Sequence, residues 1–315
     1  MTGYIVRRLL ALIPLLLIVS FLVFAMSFVI PGDPARTLAG GFHATPDRVA
    51  LIRHQLGLDK PVIVQYWRWL THALTGNLGR SLFKSTLVAS EIKRRFPVTL
   101  SMAIGALVLI VVLGVPAGIA AGTRPGGMID RAVTLGTSTA IAVPDFWLAT
   151  MLVVVFAVKL KVLPAIGYVS ITHSPFQWAR HLLLVWFAMG FGGAAPVARQ
   201  LRGGLIDVLD QDYIRTAGAK GLPEWRVVFK HALKNAATAP VTIIGIQFAY
   251  LLGGTVILEY IFSIPGLGQY FFIGLNTRDL PVIQGVTLVV ALTFVLLNLL
   301  VDVLYAYLNP KVRLG

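Results

Sequence analysis

Residues 9–30, 98–123 and 235–258 run for 22, 26 and 24 residues without one charged side chain. A helix crosses a bilayer with about 20 predominantly apolar residues, so each run is long enough to span. Two further runs, 132–158 and 282–308, carry one acid each, Asp145 and Asp302. A sixth, 182–198, has 17 residues and ends in a Gly-Ala-rich stretch. No period-two alternation of the barrel type is present. The expected fold class is therefore an all-α polytopic membrane protein with six transmembrane helices. Only 13% of residues are charged and mean hydropathy is +0.81. Soluble domains are about a quarter charged; this chain cannot cover its own surface with polar groups, which excludes a soluble fold.

The first run follows Arg7 and Arg8, so a cleaved secretory signal is the rival reading. Its apolar length exceeds the usual h-region of roughly 7–15 residues, and no Ala-x-Ala site follows it. Ala25-Met26-Ser27 is a weak match lying inside the run. An uncleaved anchor helix is expected.

Net charge is +14, with no cysteine. A basic balance can mean nucleic acid, an anionic surface or cytoplasmic loops, and the hydropathy assigns it to loops, with no nucleic-acid partner. With a cytoplasmic N-terminus, 13 Lys and Arg fall in inside segments and 4 in short outside segments. The other 10 lie in residues 31–97, a segment too long for the positive-inside rule to count. Six spans with cytoplasmic N- and C-termini follow. The chain divides into residues 1–30 (tail and first span), an extracytoplasmic helical segment 31–97, and a five-helix core 98–315 with a cytoplasmic loop at 199–234.

In the outer segment, Thr45-Pro46-Asp47 reads as a helix start and Gly57 as its stop. A second helix is expected from Pro61 to Thr75, with Ile63, Trp67, Leu70 and Leu74 on one face and aromatic residues at headgroup level. The inner loop reads as two short helices. The first runs from about Ile206 to Lys220 and stops at Gly221; Pro223 opens the second. Trp225, Val228, Phe229 and Ala232 share a face of that second helix, and Arg226, Lys230 and Lys234 form a basic stripe. Two helices joined by a tight turn below a bundle make a protruding knob; on these residues alone it reads as a solvated basic loop held near lipid headgroups, and the alternative is an element that docks into a groove on another protein.

The chain carries no visible energy source. A phosphate-cradling loop needs the Gly-x4-Gly-Lys-Ser/Thr pattern, and no Gly-Lys dipeptide exists here. No Gly-x-Gly-x-x-Gly, His-Glu-x-x-His or Gly-x-Ser-x-Gly motif occurs. No catalytic residue, metal ligand or cofactor site is expected. Gly114, Gly118 and Gly122 repeat at i, i+4, i+8, a spacing that lets helix backbones approach closely. Acids within spans are expensive and point to function. Asp145, beside Pro144, and Glu259, at the outer end of the fifth span, are candidates for a translocation path, while Asp302 near the inner end of the last span suits a pairing role.

Four stretches together resemble the dipeptide/oligopeptide branch of ABC-importer permeases, in particular its first transmembrane subunit. These are Tyr4-Ile5-Val6-Arg7-Arg8-Leu9-Leu10 with Ile30-Pro31-Gly32-Asp33-Pro34 at the end of that span; Gly76-Asn77-Leu78-Gly79-Arg80-Ser81; the cytoplasmic run from Asp212 to Pro223; and Glu259-Tyr260-Ile261-Phe262-Ser263-Ile264-Pro265-Gly266-Leu267-Gly268 with Pro281-Val282-Ile283-Gln284-Gly285. The resemblance implies the type I importer permease fold in the plasma (bacterial inner) membrane. It also implies that residues 199–234 hold the element that couples to a cytoplasmic ATPase. Arg215, Thr216 and Ala217 stand where the general signature has Glu-Ala-Ala, Gly221 stands on its glycine, and Leu222 and Trp225 complete the expected coupling set. Gly218 takes a place where the branch often has Arg, and Lys234 replaces the general proline.

The function so implied is translocation of dipeptides or oligopeptides, with ATP and Mg held by partner ATPase subunits. Implied partners are a second homologous permease, two ATPases, an extracytoplasmic binding protein and membrane lipid. Alternatives are a nickel, haem or other small-solute permease on the same scaffold, a self-sufficient secondary transporter, for which only Asp145 offers a midplane charge, and an intramembrane enzyme, for which paired catalytic residues are lacking.

Overall fold

The computed structural model describes residues 2–29 and 33–308. Ile30, Pro31, Gly32, Lys311 and Arg313 lie outside the described residues, as do the side chains of Arg7 and Asp302. The described chain is helical, and its one β feature is an isolated bridge between Arg80 and Leu87. In order, the helices are α1 (Thr2–Val29), α2 (Pro34–Ala39), α3 (Pro46–Leu56), α4 (Val62–Leu74), α5 (Val88–Thr123), α6 (Met128–Ala142), α7 (Asp145–Leu152), α8 (Pro175–Leu209), α9 (Asp212–Ala219), α10 (Glu224–Arg226), α11 (Leu233–Ala236), α12 (Thr238–Ile261), α13 (Leu267–Thr277) and α14 (Leu280–Leu308). Short π-helical segments, Val153–Lys159 and Val227–Ala232, follow α7 and α10.

Among the described residues, five helices are long and apolar enough to cross a membrane, or six spans if the bent pair α6–α7 counts as one. That pair covers the expected span over residues 132–158, with the expected mid-span break at Pro144. Its two parts meet at 100°. The cause is local: a proline disfavours the helical conformation in the residue before it. Val143 is extended at φ −89, ψ 120, and Pro144 continues extended at φ −63, ψ 135. The sixth expected span, 182–198, is the middle of the 35-residue α8, which carries Pro196 within it.

The chain forms two compact units. The smaller comprises Thr2–Thr99 and Pro265–Val295, so residues 265–295 group with the N-terminal third and not with the rest of 98–315. In it, Tyr66 and Leu70 of α4 pack with Phe24 of α1, and the Tyr66 hydroxyl lies 2.8 Å from Ser20 Oγ. Of the expected apolar face of α4, Leu70 packs inward beside Tyr66, while Ile63, Trp67 and Leu74 are exposed. The Gly57 stop has φ +68, a conformation that a glycine adopts at little cost. A second cluster joins Val88, Ile92, Leu267, Tyr270, Val282 and Val286. There Leu267 N–H donates to Thr99 Oγ1 at 2.8 Å, and the Arg95 guanidinium lies 5.0 Å from the Tyr270 ring centre. Burial pushes the Tyr270 hydroxyl up to about 12, helped by the charges of Asp279 and Glu91.

The larger unit comprises Leu100–Ile264 and the chain from Leu296. Lipid removes the water-driven incentive for helices to associate, so close packing carries the contact. On α5, a methyl group at Gly114 would lie 2.8 Å from the Ala194 carbonyl oxygen of α8, and one at Gly118 would lie 2.9 Å from that of Ala198. At Gly122 it would meet Leu205 Cβ at 2.9 Å. One turn-spaced glycine stripe therefore holds α5 against α8 backbone to backbone. Nearer the start of this unit, Gly105 makes room for the Trp186 indole, whose N–H donates to the Ser101 carbonyl at 3.2 Å.

Candidate functional site

Two features of the larger unit bear on function. The first is the knob at the inner end of α8. Helix α8 extends through Leu209 and α9 begins afresh at Asp212, so the expected single helix from Ile206 to Lys220 is two. Gln211 is extended at φ −72, ψ 145 and makes the break. Ile214 and Ala217 of α9 turn inward onto Leu201, Leu205, Val227, Ala232 and Ala236, with Leu222 packed against the same cluster. Asn235 donates to the Tyr213 hydroxyl at 2.7 Å and ties α11 to α9.

Between the helices, Gly221 sits at φ +78, with its N–H donating to the Gly218 carbonyl at 2.9 Å. Nothing lies within 4 Å of where its side chain would be, so the need for glycine is conformational and not steric. Pro223 then caps the next helix, its carbonyl accepting from Arg226 and Val227.

The outward face follows from the π-helical segment. A single-face reading of Trp225, Val228, Phe229 and Ala232 assumed α-helical pitch. The wider turn over Val227–Ala232 instead rotates Val228 and Ala232 into the core and leaves Trp225 61% and Phe229 56% exposed. Arg226 lies over the Trp225 ring at 5.3 Å, and Lys230 and Lys234 are exposed beside it. Of the expected coupling set, Arg215, Thr216, Gly221 and Trp225 are on the surface, while Ala217 and Leu222 pack inward.

The second feature is a cavity of about 480 Å³ at the α6–α7 break, lined by residues that include Pro144, Asp145, Gly192, Gly193, Gln247 and Tyr250. Asp145 is exposed to it and forms no hydrogen bond or ion pair with any described residue. A methyl group at Gly192 would meet Asp145 Oδ1 at 3.0 Å, so the glycine leaves room for the carboxylate. Gln247 donates to the Gly193 carbonyl at 3.1 Å. Glu259, the other candidate, is fully buried and is not among the lining residues.

Sequence reasoning missed the anchoring of α6 to α8. Asp130, almost fully buried, accepts from Arg202 through both oxygens, the Nη2 contact being 2.7 Å, and from Gly126 N–H at 2.8 Å. Arg199 donates to Thr137 and Ser138 of α6. Both arginines were counted only as positive charges of a cytoplasmic loop. Nothing in the spacing could have paired residues 72 positions apart.

A glycine-packed helix bundle with a broken span and an inner knob defines a class. Residues 114–314 match the model of the binding-protein-dependent transport system inner membrane component, and residues 1–103 match the N-terminal model of the same components. The chain belongs to this family: it is a multi-pass inner-membrane permease subunit of an ABC importer, and ATP hydrolysis lies in partner subunits. It is 43% identical over 313 residues to the glutathione transport system permease protein GsiC of Salmonella paratyphi A, covering 99% of each chain. A Brucella abortus protein, named provisionally as a peptide transport system permease, is 40% identical over 313 residues, again with 99% of each chain covered. The fold matches an inward-facing structure of the MetNI methionine ABC transporter at TM-score 0.57 and 19% identity, over 70% of this chain and 96% of that one.

Proposed function

We propose that this chain is one of two homologous permease subunits in an importer of short peptides, glutathione included among the solutes. The solute class rests on the names of its relatives, which pair glutathione with peptides. In this reading the second permease, two ATPases and an extracytoplasmic binding protein complete the assembly. ATP binding closes the ATPases, pushes the knobs and rocks the bundles between inward- and outward-facing states. The single observation that supports coupling at the knob is its outward surface: Trp225 and Phe229, two large apolar side chains, stand exposed between Arg226, Lys230 and Lys234. An exposed aromatic pair rimmed by polar groups is a docking surface, and buried aromatic anchors dominate such interfaces. Asp145 is assigned to the translocation path.

The test is reconstitution in liposomes with the cognate permease, ATPases and binding protein. Uptake of glutathione or of trialanine that requires internal ATP supports the reading. Uptake by the purified single chain, driven by an ion gradient, would overturn it in favour of a secondary transporter.

A further inference from the structure

We infer that Asp145 receives the α-ammonium group of the peptide in transit, with Gln247 and Tyr250 completing a cation-accepting station. The inference rests on the peptide-permease reading above and adds the chemistry that the path recognises. A carboxylate in a membrane span does not face hydrocarbon, and its default position is a polar cavity or an ion pair. No described residue of this chain pairs with Asp145, and it faces the cavity at the α6–α7 break.

The cavity's chemistry is one-signed. Among the described residues lining it there is no Lys, Arg or His, and Asp145 is the single carboxylate. Gln247 donates one amide N–H to the Gly193 carbonyl, which fixes the amide at the cavity wall and leaves its oxygen free of any hydrogen bond with a described residue. Tyr250 is 66% exposed there and offers both a hydroxyl oxygen and an aromatic face, which attracts ammonium ions. At about 480 Å³ the cavity falls in the range of small-molecule sites, roughly 300–1,000 Å³. The single formal charge presented to a solute here is negative, and no cationic side chain is presented to a carboxylate. Every peptide with a free N-terminus, and glutathione through its glutamyl end, carries one such ammonium group.

The position suits a path better than a storage site. Asp145 opens α7 after two extended residues, so it sits at a hinge between two helix segments and not within a rigid one. A lone carboxylate, with no second permanent charge beside it, holds a cation loosely enough to release it when the hinge moves.

The experiment uses the complete permease–ATPase complex without the binding protein, so that the binding protein's own selectivity plays no part. Dicyclohexylcarbodiimide labelling of Asp145 is followed by mass spectrometry in the presence of millimolar trialanine, glutathione or N-acetyltrialanine. The first two should slow labelling about tenfold, the effect of roughly 1.4 kcal/mol of occupancy, and the acetylated peptide should not. With binding protein restored, Asp145→Asn should lower uptake about tenfold while Asp145→Glu keeps part of it, both with ATPases fully attached. Equal protection by acetylated and free peptide would overturn the inference while leaving the permease reading intact. So would failure of Asp145→Asn to copurify with the second permease, which would place Asp145 in a subunit contact. A wild-type complex that imports neither trialanine nor glutathione would instead remove the reading on which the inference stands.

Discussion

Ser81 Oγ and Asp279 Oδ2 lie 2.5 Å apart although 198 residues separate them, and both residues are almost fully buried. The carboxylate also accepts from Leu82 N–H at 3.2 Å, and Ser81 Oγ in turn accepts from Lys84 N–H at 3.0 Å. The outer Gly-x-Leu-Gly-x-Ser element is thereby fastened to the turn before α14. Ser81→Ala removes one donor from a buried carboxylate and leaves Lys84 N–H without its acceptor. A loss of about 1–3 kcal/mol is expected. It should appear as a lower unfolding midpoint of the purified complex, and an unchanged midpoint would show that the pair is not structural.

The glycine stripe on α5 predicts a graded response. Gly118→Ala would drive a methyl group to 2.9 Å from the Ala198 carbonyl oxygen, where backbone must yield. Overpacking of this kind costs about 1–3 kcal/mol. Gly136→Ala on α6, where nothing lies within 4 Å, is the control and should be neutral or slightly stabilising. Thermal unfolding of both variants in detergent decides the matter, and equal midpoints would refute the close-packing argument.

Gly221→Val should separate folding from coupling. At φ +78 a β-branched residue is strained by about 1–3 kcal/mol, and the chain would relieve that strain by tilting α10. Membrane insertion and pairing with the second permease should be normal. ATPase copurification should fall and uptake should be lost, because Trp225 and Phe229 would no longer face their groove. Wild-type uptake with ATPases fully bound would remove the knob from the coupling role.

Tyr270 makes stability depend on alkaline pH. Its hydroxyl is held protonated up to about 12, whereas an unfolded tyrosine ionises near 10.0. Between these values the unfolded state binds fewer protons, so stability falls as pH rises. The contribution is complete below pH 10 and is lost progressively toward pH 12. Tyr270→Phe should abolish this component. The phenyl ring keeps its packing against Val88, Ile92 and Leu267, so the variant's effect at neutral pH should be small beside the alkaline loss. Parallel midpoints for both proteins from pH 10 to 12 would contradict the assignment.

The spans were legible because hydrocarbon imposes length and apolarity on each segment separately, so residues 9–30 or 235–258 declare themselves without reference to the rest. The positive-φ turn at Gly221 was legible for the same reason, since a glycine before Leu-Pro is a local signal. The spacing of Gly114, Gly118 and Gly122 placed them on one face but could not say that α8 would lie against it. What depends on distant partners was hidden: Ser81 with Asp279, Asp130 with Arg202, and the unpaired state of Asp145. The π-helical turn at Val227–Ala232 was hidden differently. No residue type announces an extra residue per turn, and a face drawn at ordinary pitch therefore put Val228 and Ala232 on the wrong side.

The exposed Trp225 and Phe229 have a consequence for the life of the chain before assembly. In the single chain this pair stands exposed. If the knob docks as proposed, a subunit not yet joined to an ATPase carries an uncovered aromatic patch, and such patches invite non-specific association. On that reading the surface proposed to transmit force would also make the unassembled chain the less soluble one.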